Sequence, residues 1–434
     1  MSLFLRTVCL FLCVLMLLPL YGCGYKVQSV DIALTEGGEA KLYIQLPEDA
    51  AKEILYARDR LVFYVQEKTG ATLASGTEAP ADGTPYLTLG NVGDESYATL
   101  AEELEGEQFL IRAAGNRITV AASNDAFLFD AVGYLIEKMT LEGGTLRLSG
   151  VIDTATAGNT STLMYMFTQS KTVAAESEYQ SKLSFLPGAD GELGTNDDIM
   201  GTQGGCRVGK YHYQAIIKTD KESNEMNNIT YVVKYDLETK ETVMCSELLQ
   251  LNHANDMTYN AKTNELVIVH HGPRTKMLSF MDPETLTVTR TAQLPVSVYS
   301  IAYDKVRDMY VVGVAGGQNM RRITADFQYA DGRTIWAAES AKHYTTQGIA
   351  CDEYFIYCVL YDSMHAGATN MQNIITVYDW YGNFVGTINA KVGNIEPENI
   401  SVVDGKIFVL AHKSRTGGMI YEVTPTAPVA EKEK

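Results

Sequence analysis

The chain has 434 residues, 46% hydrophobic and 20% charged, a balance that fits globular domains and excludes wholesale disorder. Its length suits roughly two or three domains. With 35 Lys and Arg against 53 Asp and Glu the formal charge is −18, and so acidic a surface repels phosphate backbones, which excludes nucleic acid as an expected partner.

Residues 1–22 read as a secretory signal. Arg6 precedes an apolar run from Thr7 to Leu20, and the small residue Gly22 stands before Cys23. The run is short for a bilayer span, and no later segment approaches the ~20 apolar residues that a membrane helix needs. Leu20-Tyr21-Gly22-Cys23 resembles the lipobox of bacterial lipoproteins, with Tyr21 bulkier than the usual residue. The resemblance implies cleavage before Cys23 and lipid, such as palmitate, on that residue. Acyl chains would then hold the mature protein on the extracytoplasmic face of the cell membrane. A plain signal peptide with an incidental Cys23 is the alternative. Residues 23–37 follow as a linker.

Of the 7 Cys, Cys9 and Cys13 leave with the signal, and Cys206, Cys245, Cys351 and Cys358 remain beside Cys23. Four thiols without a CxxC pair build neither a disulfide framework nor a zinc ribbon. Buried thiols acting as small apolar side chains are expected. Cys351 and Cys358 flank a short turn, a spacing that does not establish a bridge.

Residues 38–150 alternate strand and helix signals. Ala40–Leu46 alternates like a strand. Pro47-Glu48-Asp49 then opens a helix whose apolar residues Ala51, Ile54, Leu55, Leu61, Val62 and Val65 recur at helical spacing until Gly70 stops it. A buried strand at Tyr86–Leu89 and a short helix at Tyr97–Leu104 follow. Phe109–Ala113 and Arg117–Ala121 form a hairpin through Gly115-Asn116. A helix over Ala126–Met139 and a strand at Thr145–Leu148 complete an α+β sandwich.

The ordered pattern of EKTGA (Glu67–Ala71), YLTLGN (Tyr86–Asn91), the hairpin Glu107–Asp125 and the helix Phe127–Met139 resembles the non-catalytic N-terminal domain of bacterial hexosaminidases and alpha-glucuronidases. In those enzymes a catalytic barrel follows. Here nothing after residue 150 alternates strand and helix, so no glycosidase catalytic residue carries over. The resemblance implies polysaccharide-related surroundings.

Residues 151–200 form a connector. Within it Thr162–Phe167 reads as a β run that could close the last unit of the following domain. Pro187–Asp198 (PGADGELGTNDD) resembles Gly/Asp-rich loops of bacterial extracellular proteins. Asp190, Glu192, Asn196, Asp197 and Asp198 would offer oxygens to calcium, the one cofactor suggested; a solvated acidic linker is the other reading.

Residues 201–424 carry a repeat. Thr202–Ile217, Ala254–His271, Val298–Gly316, Thr346–Tyr361 and Pro397–His412 share a polar start, a turn and a β run. Gly205, Met257, Ile301, Ile349 and Ile400 are equivalent, at spacings of 52, 44, 48 and 51 residues. Repeats of ~40–50 residues with strand-turn-strand segments predict a β-propeller. Turns such as Asp282-Pro283-Glu284-Thr285 resemble those of lactonase-like, YVTN-type propellers. Five blades fit, a sixth from residues 155–200 is conceivable, and an open sandwich is the competing architecture. Residues 425–434 read as a disordered tail.

In a propeller the strand nearest the axis opens each repeat, so polar residues at its start face a central mouth. These are Gln203, Asn255, Asp256, Tyr299, Gln347, Glu398 and Asn399, with His253 and Glu396 just upstream. Such a ring suits a glycan or another hydroxylated extracellular ligand, bound without catalysis, or a hard cation; polar caps of strand ends that bind channel water are the other reading. The enzymatic alternative, a carbohydrate hydrolase or lyase, would use Glu398 and Asp256 as acid and base, with His253 as an alternative base. No HExxH, P-loop or GxSxG motif occurs.

Overall fold

The computed structural model describes residues 29–183, 199–218, 229–270, 276–314, 316–413 and 417–430. Cys23, the signal segment and the calcium candidates Asp190, Glu192, Asn196, Asp197 and Asp198 lie outside the described residues. The described residues are mostly β, with 51% strand against 14% helix. It divides into two compact units, Met1–Gly158 and Asn159–Lys434.

The first unit holds a six-stranded mixed sheet. Its strands run in the order Asp153–Ala157, Gln108–Ala114, Arg117–Ala122, Tyr86–Leu89, Tyr43–Gln45 and Ala74–Gly76. The helix Lys52–Thr69 buries Ile54, Tyr56, Ala57, Leu61 and Val65, and stops at Gly70, whose φ of 76° is cheap only for glycine. The helix Phe127–Lys138 buries Phe127, Leu128, Ala131, Val132 and Leu135. The two helices pack on each other, and Arg60 Nη1 donates to the Phe129 carbonyl at 2.8 Å. Two expectations about boundaries change. Residues 29–33, read as linker, form a strand paired with Thr145–Val151, and Asp153–Ala157, assigned to the connector, is an edge strand of this unit.

The second unit is built from antiparallel four-stranded meanders. The first runs Ile199–Val208, Tyr211–Lys218, Ile229–Asp236 and Glu241–Cys245. The second runs Asp256–Asn260, Glu265–Val269, Met277–Met281 and Val288–Gln293. The third runs Ser300–Asp304, Met309–Val314, Asn319–Thr324 and Tyr329–Ile335. An eight-stranded sheet joins Thr345–Cys351, Phe355–Tyr361, Ile374–Asp379 and Phe384–Asn389 to a group made of Thr172–Lys182, Gly417–Pro428, Lys406–Lys413 and Glu396–Val403. Only two parallel pairs, Thr172 with Thr387 and Val173 with Ile388, link those halves.

The first strand of each group packs on the first strand of the next, and Glu396–Val403 packs on Ile199–Val208. The inner strands therefore close a ring, a propeller-like arrangement. Its core lies between successive sheets. Cys206, Tyr213, Met257 and Leu266 fill one layer, Val267, Phe280, Ile301 and Tyr310 the next, and Val311, Ile349, Ile356 and Tyr378 a third. Leu183, Tyr235, Phe408, Leu410 and Ile420 join the last group to the first. A single meander exposes both faces, so this stacking is what buries them.

Many hairpins are tied by an Asp or Asn side chain. Asp236, Asp282, Asn260, Asp304 and Asp352 each accept the backbone N–H groups two and three residues onward. This is the Asx turn that makes Asp and Asn punctuate hairpins.

Two strand assignments are corrected. Leu163–Gln169 is a helix, capped by Thr162 Oγ1, which accepts the Tyr165 N–H at 3.3 Å. The closing strand is instead Thr172–Lys182, which runs antiparallel to Gly417–Pro428. Residues 425–428, read as the start of a disordered tail, are part of that pairing. The four cysteines Cys206, Cys245, Cys351 and Cys358 are free thiols.

Candidate functional site

Three of the inner strands carry the same irregularity at their start. Between Thr202 and Gly205, Thr346 and Ile349, and Pro397 and Asn399, one residue more lies on the inner strand than on its partner. Such bulges lift side chains out of the ladder and re-aim them. They lie at Gln203-Gly204, Gln347-Gly348 and Glu398, three of the places where the sequence sets polar residues at the axis.

Asp256 opens the second inner strand and is fully buried. Its Oδ1 accepts the Met257 N–H at 2.9 Å and Asn399 Nδ2 at 3.1 Å. Its Oδ2 accepts the Ile301 N–H at 2.9 Å and the Ile349 N–H at 3.2 Å. One carboxylate therefore ties four inner strands, and three of its donors occupy equivalent positions in the repeat. A further inner strand, Ile199–Val208, approaches through Gly204, whose N–H donates to the Ala254 carbonyl at 3.0 Å. A Cβ on Gly204 would lie 2.5 Å from the Asp256 backbone. Burial outweighs the four donors and pushes the Asp256 carboxyl up to about 8.

Above this tie, at the strand-start end of the ring, the other polar residues gather. Gln347 Nε2 donates to Glu396 Oε1 at 2.6 Å. Asn255 Nδ2 donates to the Tyr299 carbonyl at 2.8 Å. Burial and the neighbouring Glu396 charge push the Glu398 carboxyl well above the usual range. Burial also raises Glu396, against the Gln347 hydrogen bond, and the Tyr299 phenol, where the charges of Glu398 and Glu396 add to the effect. Tyr361, which sequence reasoning missed, stands in the same field: burial raises its phenol, followed by Glu396 and Glu398. Its repeat position is ordinary, so no local signal marks it.

Gln203 is half-buried, and its carbonyl accepts from Gln214 Nε2. His253 is half-buried two residues before Asn255. The shared Thr-Gln-Gly of residues 202–204 and 346–348 is the sequence signal that finds the bulges. The histidines further out serve the framework. His212 Nε2 pairs with Gln214 Oε1 at 2.9 Å, and burial brings its pKa down to about 4. His412 Nδ1 lies 3.3 Å from Thr202 Oγ1. Among the described residues no group of three or more His, Cys, Asp or Glu is arranged to hold a metal ion.

At the opposite end of the inner strands lies a depression of about 480 Å³. Met257, Ala302, Ile349 and Ile400 form an apolar floor beneath a rim that includes Arg207 and Asp352. Asp352 accepts the Tyr357 hydroxyl at 2.9 Å, and burial pushes its carboxyl up to about 6. Both rim groups are engaged within their own hairpins: Arg207 Nε donates to the Gly209 carbonyl, and Asp352 accepts the Tyr354 and Phe355 N–H groups.

No helix among the described residues is long and apolar enough to cross a membrane. No protein-family model and no curated protein matches the chain. Among solved structures, glutaminyl cyclase of Myxococcus xanthus is similar at 14% identity and a TM-score of 0.39, over 58% of this chain and 97% of that one. Regucalcin, a calcium-binding protein of Agrobacterium tumefaciens, is similar at 9% identity and a TM-score of 0.35, over 61% and 100%. A chain of a nidogen/laminin complex is similar at 10% identity and a TM-score of 0.35, over 55% and 88%.

Proposed function

We propose that this is a surface lipoprotein, held through lipid on Cys23, whose five-bladed propeller recognises an extracellular ligand without catalysis. An α+β accessory domain of the hexosaminidase type precedes the propeller, and carbohydrate is the first ligand class to test. The binding face is the strand-start mouth, formed by Gln203, His253, Asn255, Tyr299, Gln347, Glu396 and Glu398. The observation that carries the reading is the bulged start of three inner strands. There Gln347 and Glu396 hydrogen-bond to one another, and Glu398 is held beside them on a closed β framework.

The hydrolase or lyase reading is weakened by the state of its proposed partner Asp256. That carboxylate is enclosed and engaged by four donors, which suits a structural tie better than proton transfer to a substrate.

The test is a binding screen of the purified protein against polysaccharides, with and without calcium. We expect saturable binding that Glu396→Ala with Gln347→Ala removes. Release of new reducing ends, or binding indifferent to those substitutions, would overturn the reading.

A further inference from the structure

Glu398 is only 5% exposed, yet its carboxyl has no hydrogen-bond or ion-pair partner among the described residues. Its oxygens are not among the fully enclosed, unsatisfied atoms such as Ser300 Oγ and Ser401 Oγ, so they keep a narrow contact with solvent. A carboxyl withdrawn from bulk water without a partner costs free energy, and its site is a candidate for function.

The groups acting on it share one character. Glu396 stands on its own strand, Tyr299 precedes the third inner strand, and Tyr361 ends the second strand of the fourth group. Asp362 lies behind Tyr361, Asp256 and Asn399 tie the strands beneath, and His253 is half-buried before the second inner strand. Among the described residues the charges that act on Glu398 and Tyr361 are all carboxylates. The chain as a whole carries a formal charge of −18, which favours cations over anions as ligands.

We propose, resting on the mouth reading above, that the mouth takes its ligand by an ammonium group, with Glu398 as the charge partner. Glu396 adds a second, longer-range charge, and the Tyr299 and Tyr361 rings offer the negative π faces that attract organic cations. A hard metal ion suits the site less well, since calcium wants six to eight oxygens and one of the two carboxylates already accepts from Gln347. Amino sugars and polyamines both present the required group.

With the mouth empty, burial and the Glu396 charge raise the Glu398 carboxyl well above its ordinary range, which favours its protonated form. An ammonium ion beside it favours ionisation, so binding is coupled to proton release. Calorimetric titration of the purified protein with spermidine, a glucosamine oligosaccharide, its N-acetylated counterpart and calcium chloride tests this. We expect an amine to bind, with an enthalpy that shifts with the ionisation enthalpy of the buffer. In Glu398→Gln the affinity should fall at least tenfold and the buffer dependence should vanish, while the urea midpoint stays equal or rises. If that variant fails to fold, Glu396→Gln carries the test, with a two- to threefold loss expected.

The two amine arms distinguish the source of the group. Equal binding of the N-acetylated oligosaccharide, unaffected by Glu398→Gln, would overturn the inference and leave the mouth reading intact. Calcium binding that depends on Glu398, with no amine bound, would overturn it in favour of a metal. Failure of every probe, neutral glycans included, would overturn both.

Discussion

The Asp256 carboxylate accepts the backbone N–H of Ile349 at 3.2 Å, across 93 residues of chain. With Met257, Ile301 and Asn399 it forms a tie that lies on the axis rather than within any one sheet. Replacing it with Ala leaves two non-local backbone N–H groups and the Asn399 amide buried without this acceptor. Each orphaned group costs about 1–3 kcal/mol. We expect Asp256→Ala to lower stability by about 3 kcal/mol or more, read from urea unfolding. A loss under about 1 kcal/mol would show that the tie is dispensable.

Gly204 and Gly348 occupy matching bulges, but their surroundings differ. A Cβ at Gly204 meets the Asp256 backbone at 2.5 Å, whereas at Gly348 the nearest atom, Asn399 Cα, is 3.1 Å away. Gly204→Ala must push two inner strands apart and should cost about 1–3 kcal/mol, with Gly348→Ala costing less. Thermal unfolding of the pair checks the order.

Asp256 and Asp352 give the protein a pH signature. Their folded pKa values, about 8 and about 6, exceed the ordinary aspartate value of 3.8. Each group holds its proton more tightly folded than unfolded. Its contribution is therefore complete below about pH 4 and is lost as pH rises through 6 for Asp352 and 8 for Asp256. Urea midpoints measured from pH 4 to 9 for the parent and for Asp352→Asn should show a fall that the variant lacks near pH 6. Parallel curves would contradict the assignment.

The pairing of Thr172–Lys182 with Gly417–Pro428 predicts intolerance to truncation. Ending the chain at residue 416 removes every partner that the last segment supplies to Thr172–Lys182 and Lys406–Lys413. We expect loss of cooperative unfolding and increased dye binding to exposed apolar surface. A sharp, parent-like transition would refute this.

The repeat was legible because each unit solves the same local problem. An Asx residue makes the turn and an apolar run makes the second strand, so Asp304 and Asp352 announce their hairpins. Asp256 was legible as an axial polar residue, but its role was not. Three of its four donors lie on other strands, and one sequence does not print distances around a ring. Thr162–Phe167 misleads for a different reason. Six mostly apolar residues fit strand and helix alike, and the Thr162 cap decides the matter. Residues 425–428 look like a tail because of their prolines, yet Pro425 falls at a register shift where a missing donor is tolerated.

One consequence concerns biosynthesis. Thr426 Oγ1 donates to the Ala174 carbonyl across 252 residues of sequence, inside the pairing that completes the last sheet. The early segment thus leaves the ribosome long before its mate exists. Throughout that interval the nascent chain carries an exposed edge able to recruit a neighbouring copy, so holdase protection during synthesis should decide how much native protein the cell obtains.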